Sequence, residues 1–108
     1  MAFSVTSKIL KNGTAELTLV GELDASVANE FKAAVEKAAA EKAKKLVLNM
    51  KDLEFMASAG LRVLVFAKQK MGYDVDIYVI AAQAAVRDTI EMTGFHHSVI
   101  MRDEFSAI

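Results

Sequence analysis

Leu46-Val47-Leu48-Asn49-Met50-Lys51-Asp52-Leu53-Glu54-Phe55-Met56-Ala57-Ser58-Ala59-Gly60-Leu61 carries a strand, a connection and the start of a helix in one run. Leu46 to Leu48 is a short continuous apolar stretch of the kind that a strand covered on both faces needs. Lys51-Asp52 breaks it, and from Ser58 to Lys70 the apolar residues recur at helical spacing until Gly72 closes the segment. Downstream the pattern repeats. Asp74 to Ile80 carries a strand signal on Val75, Ile77 and Val79, and Gln83 to Thr93 a helix signal on Val86 and Ile90 that stops at Gly94. Ser98 to Met101 reads as one more short edge strand, with Asp103 placed to cap a terminal turn that frays beyond Phe105.

Upstream, Val27, Phe31, Ala34, Val35 and Ala38 recur at helical spacing from Ala25 to about Glu41, and Asp24 stands just before them as a natural N-cap. Ahead of that helix, Phe3, Val5 and Ile9 alternate with polar residues, as do Leu17 and Leu19, and Asn12-Gly13 lies between the two runs. This is a β-hairpin signature. A hairpin followed by strand–helix repeats implies an α/β fold whose mixed sheet has four to five strands, mainly parallel after the first. Right-handed crossovers between successive neighbours place the helices mainly on one face and leave the other partly solvated.

The 108 residues suit a single domain over 1–108, and 54% hydrophobic with 25% charged residues gives both a core and a soluble surface. A formal net charge of -1 with scattered lysines offers nothing for a nucleic-acid backbone or an anionic membrane. The absence of cysteine excludes disulfides, thiolate metal sites and thiol nucleophiles. The first ten residues lack a signal-peptide pattern, and no stretch approaches the roughly 20 apolar residues of a membrane span. These features point to a cytoplasmic protein with protein partners or small ligands, without a metal or cofactor.

Parallel strands ending near Val20, Met50 and Ile80 send their following connections to one carboxyl edge, where open α/β sheets place their sites. Asp24, Ser58 and Gln83 are therefore expected near one another. The connection from Lys51 to Ala57 is expected to be a surface loop, yet it carries Leu53, Phe55 and Met56. At least one of Leu53 and Phe55 should fold back under it, with Met56 left exposed for a partner. Ser58 opens the second helix, where its hydroxyl is placed to cap free backbone amides. A phosphoryl group there would meet the same amides and the positive end of the helix dipole, while adding about -1.5 to -2 charges to any interface formed at that edge.

Lys51 to Leu61, with a serine followed by a small residue and Gly-Leu after an aliphatic and aromatic segment, resembles the phosphorylation-site signature of the STAS anti-sigma-factor antagonists. Gly21-Glu22-Leu23-Asp24-Ala25 is similar to that family's Gly-x-Leu/Ile-Asp motif ahead of its first long helix. The resemblance spans nearly the whole chain and implies the STAS fold. It implies a protein that binds a kinase-fold anti-sigma factor when unmodified, is phosphorylated on serine by that kinase and is restored by a PP2C-type phosphatase. Ser58 would be the phosphoacceptor, Asp24 a neighbour that positions it, and Phe55, Met56, Ala57, Ala59 and Gly60 would complete the partner-binding edge. Members of the family usually carry aspartate directly before the serine, where this chain has Ala57.

Other readings fit less of the chain. A serine hydrolase would need Ala57-Ser58-Ala59-Gly60 as a nucleophile elbow with Asp74, Asp76 or Asp88 and His96 or His97, but Met56 replaces the first glycine of that pattern. His96-His97 has no third ligand at metal-binding spacing and reads as surface or edge. A receiver domain lacks its aspartate, because the corresponding strand ends in Asn49-Met50. The dispersed glycines supply no phosphate-binding loop. A STAS scaffold or transporter-associated subunit with a non-sigma partner is the main alternative, since a fold does not dictate its output.

Overall fold

The computed structural model describes residues 2–10 and 12–104. Strand β1 (Ser4–Ile9) pairs antiparallel with β2 (Thr14–Leu23), with Ser4 opposite Val20 and Ile9 opposite Ala15. Gly13 turns the hairpin at φ +81, and the Leu10 amide donates across it to the Thr14 carbonyl at 2.8 Å. Helix α1 (Ala28–Ala40), strand β3 (Lys45–Met56), helix α2 (Ser58–Met71), strand β4 (Asp76–Ile80), helix α3 (Ala84–Met92), a short 3-10 turn (Phe95–His97) and strand β5 (Ile100–Arg102) follow. The five strands lie in the order β1-β2-β3-β4-β5, and every pair after the first is parallel.

The alternation along each strand assigns its two faces. Leu17 and Leu19 of β2, Leu46 and Leu48 of β3, and Ile77 and Val79 of β4 join one buried cluster with Phe31 and Val35 of α1, Val63 and Leu64 of α2, and Val86 and Ile90 of α3. All three helices therefore cover the same face. On the other face Val47, Tyr78 and Ile80 form a smaller cluster with Ala81 and Ile100 against it. This is the mixed sheet and one-sided helical layer that the sequence implies.

Strand β3 departs from expectation. Residues Lys51 to Met56 are not a surface loop but the second half of a twelve-residue strand. Thr18 pairs with Asn49 but Val20 with Asp52, and Gly21 pairs with Leu53 but Glu22 with Phe55, so β3 takes one extra residue at each of two irregularities. Bulges of this kind re-aim side chains and break the two-residue period. Here they bring Met50, Leu53 and Met56, three residues apart, into the core. Gly21 sits beside the second irregularity at φ +94, a backbone conformation that a β-carbon disfavours. Because β4 pairs only as far as Asn49–Ile80, the carboxyl half of β3 projects beyond it, hydrogen-bonded to β2.

Other boundaries move. Helix α1 begins at Ala28 with Val27 at its N-cap, so Asp24 is not the cap of that helix. Ile100–Arg102 replaces the anticipated Ser98–Met101, because Phe95–His97 winds into the 3-10 turn and delays the strand. The terminal turn beyond Phe105 lies outside the described residues.

Candidate functional site

The carboxyl edge is built around one backbone bond. The Ala57 amide donates to the Leu23 carbonyl at 2.8 Å, so Asp24 and Ser58 leave a joined pair of residues as the next step of each chain segment. The close seating of α2 follows from Gly60, in its first turn. A β-carbon on Gly60 would stand 2.7 Å from Leu23 Cδ2, 2.8 Å from Leu23 Cγ and 3.1 Å from Met56 Cγ. Leu23 and Met56 fill the space a side chain would need, and Gly60 lets the helix come down on them. Its place in the motif is thus a packing requirement.

Ser58 is the first helical residue of α2 and is exposed; Ala57, in extended conformation, holds the N-cap position, and no side-chain hydrogen bond caps the helix. The anticipated capping role of Ser58 is therefore not observed, since the serine lies one residue too far along the chain to perform it. The Ala57 carbonyl accepts from the Gly60 and Leu61 amides at 3.0 and 3.2 Å, while the earliest amides of any helix have no intrahelical acceptor.

Asp24 is exposed and locally ordered. Its Oδ1 accepts from the Ser26 amide at 2.9 Å and from the Ser26 hydroxyl at 2.6 Å. The Ser26 hydroxyl, and then its amide, hold the carboxyl below the usual carboxylate range by stabilising its ionised form. Asp24 thus closes a turn ahead of α1 and keeps a negative charge on the edge that carries Ser58.

Of the apolar residues, Leu53 folds back into the core as expected, whereas Met56 does not stay exposed. Leu53 is fully buried, Met56 is 2% exposed and Phe55 is 45% exposed. Met56 is therefore not the exposed contact that sequence reading selects, because the second bulge turns it inward onto Gly60 and Leu23. Phe55 is the exposed apolar side chain instead, paired with Glu22 just beyond the second bulge. Ala57 and Ala59 are half-buried and Gly60 is buried.

Gln83 does reach this edge, though not the Asp24–Ser58 pair. From the N-cap of α3 its Nε2 donates to the Lys51 carbonyl at 2.8 Å, joining the β4–α3 connection to the base of the β3 projection. This contact, and Ala81 beside it at φ +58, escape sequence reading, since neither residue belongs to a motif. The hydrolase constellation is not assembled. Asp74 and Asp76 lie at the amino end of β4, and His96 and His97, with ring centroids 4.0 Å apart, precede β5. Both sites are at the strand ends opposite Ser58. Among the described residues no three His, Cys, Asp or Glu side chains come together as a metal site, and no helix is long and apolar enough to cross a membrane.

Comparison with known proteins agrees with this architecture. The STAS domain model matches residues 7–107. The anti-sigma-F factor antagonist RsfB of Mycobacterium tuberculosis is 31% identical over 83 residues, covering 77% of this chain and 68% of that protein. Among solved structures, an anti-sigma factor antagonist from Mycobacterium paratuberculosis superposes with a TM-score of 0.88 at 23% identity, over 96% of this chain and 88% of that one. The Bacillus cell fate determinant SpoIIAA in its phosphorylated form superposes with a TM-score of 0.70 at 19% identity, over 95% and 93%. From its strand order, its two motifs and these matches, the chain belongs to the STAS domain family.

Proposed function

We propose that the chain is an anti-sigma-factor antagonist that docks its carboxyl edge on a kinase-fold anti-sigma factor and is released when Ser58 is phosphorylated, a PP2C-type phosphatase restoring the binding form. The observation that carries this reading is the exposed Ser58 at the first position of α2, one residue beyond the Ala57–Leu23 bond and on the same edge as ionised Asp24. A kinase can reach that hydroxyl without unfolding the helix. The names of RsfB and of the Mycobacterium paratuberculosis protein support the antagonist role, and the phosphorylated SpoIIAA structure supports a STAS fold that tolerates phosphate.

In this reading Phe55, Asp24 and Ser58 touch the partner, Ala57 and Ala59 line the contact, and the buried Met56 and Gly60 hold the edge in shape. Phosphate adds about two negative charges that must be desolvated for docking. A penalty of about 4 kcal/mol lowers affinity nearly a thousandfold, enough for on–off control. Calorimetric titration of a cognate kinase-fold anti-sigma factor tests it. Ser58→Ala should bind as tightly as the parent and resist release by ATP, whereas Ser58→Asp should bind far more weakly. Equal binding by the parent and both variants would exclude the switch.

A further inference from the structure

The molecule carries a second surface at the opposite end of its strands. A cleft of about 490 Å³ lies between the carboxyl ends of α1 and α2, lined by Ala39, Ala43, Met71 and Val75, with Lys42, Lys44, Lys70 and Asp74 also facing it. Lysines near helix carboxyl ends complement the helix dipoles, but three ammonium groups here face one carboxylate. Among the described residues none of the three lysines makes an ion pair. The carboxyl edge is the reverse. There the half-exposed Phe55 follows the exposed Asp52 and Glu54 along the projecting half of β3, with Asp24 on the same edge and Lys51 as a lone cation in that stretch.

From this complementarity we propose that the protein associates head to tail, the acidic Phe55 edge of one copy entering the lysine-rimmed cleft of the next. The apolar cleft lining receives the exposed ring, and Lys42, Lys44 and Lys70 face Asp52 and Glu54. Edge and cleft lie at opposite ends of the strands, so the contact is heterologous and each added copy presents a free edge and a free cleft. Charge drives it at low salt, and screening removes it. The inference does not depend on the partner-switch reading, since it concerns the protein alone.

Sedimentation velocity of the purified chain tests it. The weight-average mass should rise with concentration at low ionic strength and return to the monomer in about 0.5 M sodium chloride, where the Debye length is roughly 4 Å. A variant carrying Asp52→Lys and Glu54→Lys should stay monomeric at low salt, as should one carrying Lys42→Glu and Lys70→Glu. An equimolar mixture of the two should associate again, because each reversed edge then meets a reversed cleft and each native edge a native cleft. Phe55→Ala should weaken parental association without changing charge. Circular dichroism checks that the exposed substitutions leave the fold intact, and the salt series on the parent is independent of them. A parent that remains monomeric at low salt at every concentration overturns the proposal. So does an equimolar mixture that stays monomeric, or either reversed variant associating as strongly as the parent.

Discussion

Ala57 gives α2 an N-cap without a capping side chain, and no acidic residue stands in the first turn of that helix. The free amides and the positive dipole end are thus uncompensated, so a short acceptor side chain at this position should stabilise the fold. Ala57→Asp is expected to add about 1 kcal/mol, read from urea denaturation. A phosphoryl group on Ser58 addresses the same amides. Phosphorylation should therefore raise the melting temperature more in the parent than in Ala57→Asp, where the aspartate already caps the helix and repels the phosphate. Asp24 is tuned by its own neighbour. Because its folded pKa lies below the unfolded value, its contribution to stability is fully present at neutral pH and is lost as pH falls through the folded pKa. Ser26→Ala removes the hydroxyl donor, and the Asp24 titration midpoint followed by carboxyl NMR should rise.

At the scale of elements, α2 docks on β2 and β3 through the gap at Gly60. Gly60→Ala improves helix propensity by about 1 kcal/mol, yet its methyl group meets Leu23 at 2.7 and 2.8 Å. Overpacking of this kind costs about 1–3 kcal/mol, so the net effect should be destabilising. Leu23→Ala, a cavity in the core, should cost about 2–5 kcal/mol alone. In a double-mutant cycle the pair should be less destabilising than the two changes added, because removing the leucine makes room for the methyl group. The carboxyl end of α1 offers the opposite case. Lys42 holds φ +57 just after the helix, so Lys42→Gly should stabilise by roughly 0.5–1 kcal/mol in thermal unfolding.

Across the whole molecule, stability should decline outward from β3. Residues Lys45 to Asn49 are paired with β2 on one side and β4 on the other and sit over the core, whereas β1 and β5 are edges. Native-state hydrogen exchange should protect the amides of Leu46 to Leu48 longest. The projecting half of β3, bulged and paired with β2, should exchange sooner, and β1 sooner than β2. Such an order leaves the proposed docking edge more adaptable than the sheet beneath it.

The hairpin, the strand–helix repeats, the parallel sheet with one helical layer, and the placing of Asp24 and Ser58 on one edge are all legible in the chain. Those features are written in local periods and turn residues, such as Phe31 and Val35 one helical turn apart or Gly13 between two alternating runs. The remaining features follow from pairing between distant segments. Lys51 to Met56 looks like a loop because its burial repeats every third residue, and that spacing arises only when β3 bulges twice against β2. Gly21, inside an otherwise regular strand pattern, is the local trace of that irregularity. Whether Phe55 or Met56 is exposed depended on the same bulges, and the cap of α2 depended on where the Ala57 amide found the Leu23 carbonyl. Both outcomes rest on pairing between segments more than thirty residues apart, which no local period records.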